Sequence, residues 1–137
     1  FKLINDTYGH EIGDKVLQQV AHALRMNLRT SDNAARFAGD EFVVMLDHCA
    51  SDDDALALAN KLRRAIMEQV ARLNLDVPLG VSIGVLWINS QDLVSTVLQK
   101  ADKLMYQAKR KGRNFNQFGR ASETSVNPAR PVENPDA

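Results

Sequence analysis

The sequence predicts an α+β domain in which helices lie over a mainly antiparallel sheet. Three segments repeat apolar residues at the three-four spacing of a half-buried helix, and shorter segments between them are apolar runs or alternate with a period of two. These segments follow one another as helix, strand, strand, helix, strand, helix, strand. An order that opens on a helix leads us to expect a further strand in front of it.

The first helix is read from about Asp14 to Leu28, with Val16, Leu17, Val20, Ala21, Leu24 and Leu28 on one face and Asp14 as its N-cap. Ala34 to Phe37 and Phe42 to Leu46 are short apolar runs broken by Ala38-Gly39-Asp40, the pattern of a β-hairpin with an acidic tip. Ser51-Asp52-Asp53-Asp54 opens a second helix, whose buried face carries Ala55, Leu58, Ala59, Leu62, Ile66 and Val70. From Leu79 to Trp87 the odd positions are apolar, while Gly80, Ser82 and Gly84 are small. That is a strand with one face open to close approach. A third helix bears Val94, Val97, Leu98, Ala101, Leu104, Met105 and Ala108, and ends in Lys109-Arg110-Lys111 with Gly112 as its C-cap. A last strand is expected at about Asn114 to Phe118. From residue 119 onward, Ser, Asn, Glu and three prolines (Pro128, Pro131, Pro135) predict a disordered tail, so the domain is placed at 1–118 and the tail at 119–137.

A chain of 137 residues that is 45% hydrophobic holds one domain with a sizeable core. Lys plus Arg number 17 and Asp plus Glu number 17, so no global field attracts a nucleic-acid polymer. One cysteine, Cys49, cannot close an internal disulfide, and His10, His22 and His48 lack zinc-site spacing. No apolar run approaches a membrane span. A chain that begins with Phe1 rather than Met is expected to have lost its true start.

Four segments carry the chemistry-bearing residues. They are Phe1-Lys2-Leu3-Ile4-Asn5-Asp6-Thr7-Tyr8-Gly9-His10 with Gly13-Asp14; Arg36-Phe37-Ala38-Gly39-Asp40-Glu41-Phe42; Ser82-Ile83-Gly84-Val85; and Ala101-Asp102 through Met105-Tyr106 and Ala108-Lys109 to Gly112-Arg113-Asn114. In this order and spacing they resemble the GGDEF family of diguanylate cyclases over essentially residues 1 to 118, with Ala38 where the family's first glycine usually stands. The resemblance implies a nucleotide-cyclase or polymerase-palm-like fold and a bacterial signalling enzyme. It condenses two GTP into cyclic di-GMP with release of pyrophosphate, in a homodimer, and takes Mg2+ or Mn2+. It also implies a strand with Asp-x-Asp immediately before Phe1, which completes the metal site, and an N-terminal sensory or regulatory domain. Without that strand the isolated chain is expected to be unstable and inactive. The resemblance implies a cytoplasmic domain and leaves open whether the parent protein is anchored in a membrane.

Paired carboxylates on a tight turn suit a hard divalent cation that keeps substrate phosphates in its shell. By resemblance, Asp40 and Glu41 are the catalytic and metal-binding acids, and Gly39 contacts substrate. The plainer alternative is a surface turn with two solvated acids. An amide at Asn5 and a carboxylate at Asp14 together offer the donor and acceptors that a guanine edge requires; the resemblance gives them the base, with Phe1 and His10 nearby. The resemblance also puts Lys109 and Arg113 on the β- and γ-phosphates, although cations at a helix C-terminus are also favoured by the dipole. Arg29-Thr30-Ser31-Asp32 has the register of the family's inhibitory RxxD motif, where an arginine fork and a carboxylate bind cyclic di-GMP as a feedback inhibitor. A further family arginine falls at Lys61, allowing one inserted residue. A second hypothesis is a catalytically silent receptor that binds GTP or cyclic di-GMP and signals to a partner domain.

Overall fold

The computed structural model describes residues 1–112 and 116–120. Its elements are α1 (Lys2–Tyr8), α2 (His10–Asn27), β1 (Asn33–Ala38), β2 (Glu41–Met45), α3 (Asp52–Ala71), β3 (Ile83–Trp87), α4 (Val94–Arg110) and β4 (Asn116–Arg120). The class is α+β, as the pattern predicts.

The first difference lies at the N-terminus, where α1 occupies a segment that shows no apolar stripe. Only Ile4 is buried on it, so there is little periodicity to read. Gly9, at φ 84, ends α1 by donating its N–H to Asn5 O (2.9 Å) and serves as the N-cap of α2. Asp14 is therefore not the cap that the sequence suggested. The break at Gly9 starts α2 at His10 and leaves Asp14 inside the helix with its side chain exposed.

The start of α3 follows the expectation closely. Ser51 caps it, its Oγ accepting from Asp54 N at 3.1 Å, and Asp52, Asp53 and Asp54 place negative charge on the positive end of the helix. Its inner face, with Leu62, Ile66 and Val70, closes a core with Ile4 of α1 and Val16, Ala23 and Leu24 of α2. Phe42 and Val44 of β2 pack on this core, which ties the hairpin to the helices. Arg63, 2% exposed, is accommodated by donating from Nη2 to Asn60 Oδ1 at 2.9 Å.

The strands pair in two sets. β1 and β2 are antiparallel, from Asn33↔Met45 to Ala38↔Glu41, with a bulge between Arg36 and Ala38. β3 and β4 are parallel, from Ile83↔Asn116 to Trp87↔Arg120, and no ladder joins the two pairs among the described residues. Because the ladder with β4 begins at Ile83, the strand expected from Leu79 starts only there. Leu79 and Val81 instead pack on the helical core.

The close approach predicted by the small residues is present at Gly84. A Cβ added there would stand 2.5 Å from Met105 N and 2.8 Å from Ala101 O, so α4 lies directly on β3. Leu104 and Ala108, both 0% exposed, fill this contact, and Gly119 on β4 makes room for Leu104. Past the cap residue Lys111, Gly112 turns the chain at φ 125, so the positive φ falls one residue beyond the cap. β4 takes in Gly119 and Arg120, later than the expected 114–118. The remainder of the predicted tail, 121–137, lies outside the described residues.

Candidate active site

The hairpin tip is a two-residue turn. Ala38 pairs with Glu41, and Gly39 takes φ 46, a conformation that glycine adopts without a side-chain clash. The Nε of Arg36 donates to Gly39 O at 2.8 Å and fixes the turn backbone from below. Ala38 itself is extended strand and is absent from the positive-φ residues, so alanine at this position carries no backbone strain. Asp40 is exposed and Glu41 half-buried, and no ion pair or side-chain hydrogen bond engages either carboxylate among the described residues.

A groove of about 540 Å³ runs between α2 and the hairpin. Asp14, Gln18 and Arg25 line it from α2, and Ala34, Arg36 and Phe42 line it from the strands. Its floor is apolar, with Leu17 and Leu24 beneath. An apolar slot edged by one carboxylate and two guanidinium groups can take a flat heterocycle with anionic substituents. Arg36 belongs to this site in two ways, as a wall of the groove and as the clamp on the turn. Sequence reasoning gave it no role, and the available signal was a lone cation on an otherwise small and apolar strand.

The remaining candidates are placed as follows. Phe1 is half-buried against the helical core, and His10 is exposed at the start of α2. Asn5 lies on α1 with its Oδ1 buried and without a hydrogen-bond partner among the described residues, packed on Gly13 of α2. Asn5 and Asp14 thus come from two helices, and residue 13 is the point where those helices meet. Lys109 is exposed in the last turn of α4, whose main packing partners among the described residues are β3 and β4. Arg113 lies outside the described residues.

Arg29 is exposed, whereas Asp32 is half-buried and already at work. Its Oδ2 accepts from Arg29 N (3.0 Å) and its Oδ1 from Asp47 N (3.3 Å). The carboxylate therefore joins the chain entering β1 to the chain leaving β2. Lys61 is exposed on α3.

No group of three or more His, Cys, Asp or Glu side chains gathers among the described residues in a way that could hold a metal ion. Asp40 and Glu41 offer hard oxygen donors of the type Mg2+ accepts, and a Mg2+ site commonly draws its other ligands from water and substrate phosphates. The pair fits as part of such a site. No helix among the described residues is long and apolar enough to cross a membrane.

These features define an α+β domain whose acidic-tipped hairpin borders an apolar groove edged by Asp14, Arg25 and Arg36. Comparison with known proteins gives the class a family. The model described as "Diguanylate cyclase, GGDEF domain" matches residues 1–115. Diguanylate cyclase DosC of Escherichia coli is 37% identical over 124 residues, covering 89% of this chain and 27% of that protein. The response regulator PleD of Caulobacter vibrioides is 40% identical over 121 residues, covering 83% of this chain and 26% of that protein. Among solved structures, a form of YfiN (TpbB) from Pseudomonas aeruginosa comprising only its GGDEF domain superposes with a TM-score of 0.73 at 35% identity, over 85% of this chain and 69% of that one. The chain belongs to the GGDEF family of diguanylate cyclase domains. It spans about a quarter of the length of the curated relatives it matches.

Proposed function

We propose that the chain is the nucleotide-handling domain of a diguanylate cyclase. Two copies, each holding one GTP, face each other, and the ribose 3′-hydroxyl of each GTP attacks the α-phosphorus of the other. At each centre a new O–P bond forms, the bond from the α-phosphorus to the bridging oxygen breaks, the hydroxyl proton is lost and pyrophosphate leaves, giving cyclic di-GMP. Catalysis in such a reaction is mainly positioning and charge stabilisation.

The observation that carries this reading is the pair of carboxylates, Asp40 and Glu41, without a partner among the described residues, on a turn fixed by Arg36, which also lines the α2–hairpin groove. Asp40 and Glu41 would hold Mg2+ or Mn2+, which supplies Lewis acidity toward phosphate oxygens and the 3′-hydroxyl. Asn5 and Asp14 contact the guanine edge, with Phe1 and His10 close to the base, while Gly39 lets the turn backbone approach the phosphates. Lys109 and Arg113 neutralise the β- and γ-phosphates as pyrophosphate departs. Arg29 and Asp32 form a feedback site for the product. A regulatory domain elsewhere in the full-length protein governs how the two copies meet.

The decisive experiment is full-length protein with GTP and Mg2+, followed for pyrophosphate and cyclic di-GMP. Turnover that disappears in Asp40→Ala supports a cyclase. Nucleotide binding with no turnover in either protein replaces the cyclase with a receptor domain. Residues 1–137 expressed alone should melt without cooperativity and turn over no GTP; a cooperative melt with activity would refute this part of the reading.

A further inference from the structure

Asn5 and Gly13 lie on different helices, yet the amide of one rests on the Cα of the other. A methyl group built on Gly13 would collide with Asn5 Oδ1, and it would stand 3.0 Å from Asn5 Cγ and 3.5 Å from Cζ of Phe1. Gly13 is buried and sits within α2, but unlike Gly9, Gly39 and Gly112 it has no positive φ. Backbone freedom therefore does not account for glycine here. Alanine would favour the helix more, since glycine loses more conformational freedom on folding. Asn5 Oδ1, at the same contact, is buried with no hydrogen-bond partner among the described residues, an arrangement that folded proteins avoid without a reason. One contact thus combines a helix-weakening residue with a desolvated amide, and the next residue along α2, Asp14, lines the groove.

We propose that Gly13 is a positioning residue for nucleotide recognition: its missing side chain is the recess that holds the Asn5 amide beside Asp14, oriented before a nucleotide arrives. The inference rests on reading Asn5 and Asp14 as the base contacts. A side chain at residue 13 pushes the amide off α2, while the Phe1 ring would stand at ordinary contact distance from that methyl. The amide would then meet the base in the wrong orientation, or only after a rearrangement, and binding would lose the benefit of a pre-set partner.

The test uses the full-length protein with Mg2+, a non-hydrolysable GTP analogue and inorganic tripolyphosphate as probes. Gly13→Ala is expected to weaken the GTP analogue at least about tenfold while tripolyphosphate affinity stays within about twofold. In an Asn5→Ala background the same substitution should add less than about twofold, because the group it displaces is gone. Unchanged analogue binding in Gly13→Ala, or full additivity in the double variant, overturns the proposal. Should Gly13→Ala fail to fold, recovery of a cooperative melt in Asn5→Ala/Gly13→Ala supports the recess, and continued failure overturns it. If the wild-type protein binds no GTP analogue, the reading of Asn5 and Asp14 as base contacts fails separately. The Asn5 side-chain amide NMR signal of the free protein then decides: displaced by Gly13→Ala it supports the recess, and unmoved it overturns it.

Discussion

The two strand pairs are built on opposite terms. Around β3 and β4 the packing is tight: Gly84 admits the backbone of α4, and Leu104 and Ala108 are fully buried. The β1–β2 hairpin is open, with all six residues of β1 exposed and Phe37, Val43 and Met45 among the exposed large hydrophobic residues. The candidate acids lie on the open pair. Substitutions at the hairpin tip and at the β3–α4 contact should therefore separate activity from stability.

The largest expected effect comes from the hairpin tip. Asp40→Ala in the full-length protein should lower pyrophosphate release by at least about 100-fold, while the melting temperature hardly moves because the side chain is exposed and makes no bond to another described residue. Leu104→Ala should do the reverse: a loss of about 2–5 kcal/mol in denaturant titration, from a fully buried leucine, with per-molecule activity of the folded fraction retained. Equal damage to both readouts from either substitution would break the comparison.

The RxxD motif should straddle the divide. Arg29→Ala is expected to relieve product inhibition at little cost in stability, since its side chain is exposed. Asp32→Ala should relieve inhibition and also destabilise by about 0.5–1.5 kcal/mol, because two solvent-exposed backbone N–H groups exchange their carboxylate acceptor for water. Inhibition curves and melts on the same samples check both. The smallest effect is expected from Ala38→Gly. With no positive φ at this residue there is no strain to relieve, so activity should change by less than about threefold. A large gain would mean that the methyl itself obstructs substrate.

The differences between sequence and structure follow the same division. α3 was legible because its cap and stripe are local: Ser51 and Asp54 are three residues apart, and Ala55, Ala59, Leu62, Ile66 and Val70 repeat on one face. The hairpin was legible from Gly39-Asp40 between apolar runs. α1 was not, since a seven-residue helix with one buried side chain has no period to detect. Asp14 looked like a cap because acids cap helices, and only the φ of Gly9 moves the start to His10. The site acids could be named from the motif. The clamp from Arg36 to Gly39 could not, although it too spans three residues, because it depends on the bulge between Arg36 and Ala38, and the engagement of Asp32 by Asp47 could not because it joins the two far ends of the hairpin.

Asp32 gives the open hairpin a property that its two strands alone would lack. Its carboxylate bridges to Asp47 just beyond the last strand pair, Asn33↔Met45, while the Gly39-Asp40 turn joins the strands at the other end. Residues 32–47 therefore form a ring, not a fork. Fraying from the open end must release that acid as well as the Asn33↔Met45 pair, so part of the hairpin's resistance to opening lies in a side chain at the end remote from Asp40, and a ligand that drew Asp32 away would loosen that end.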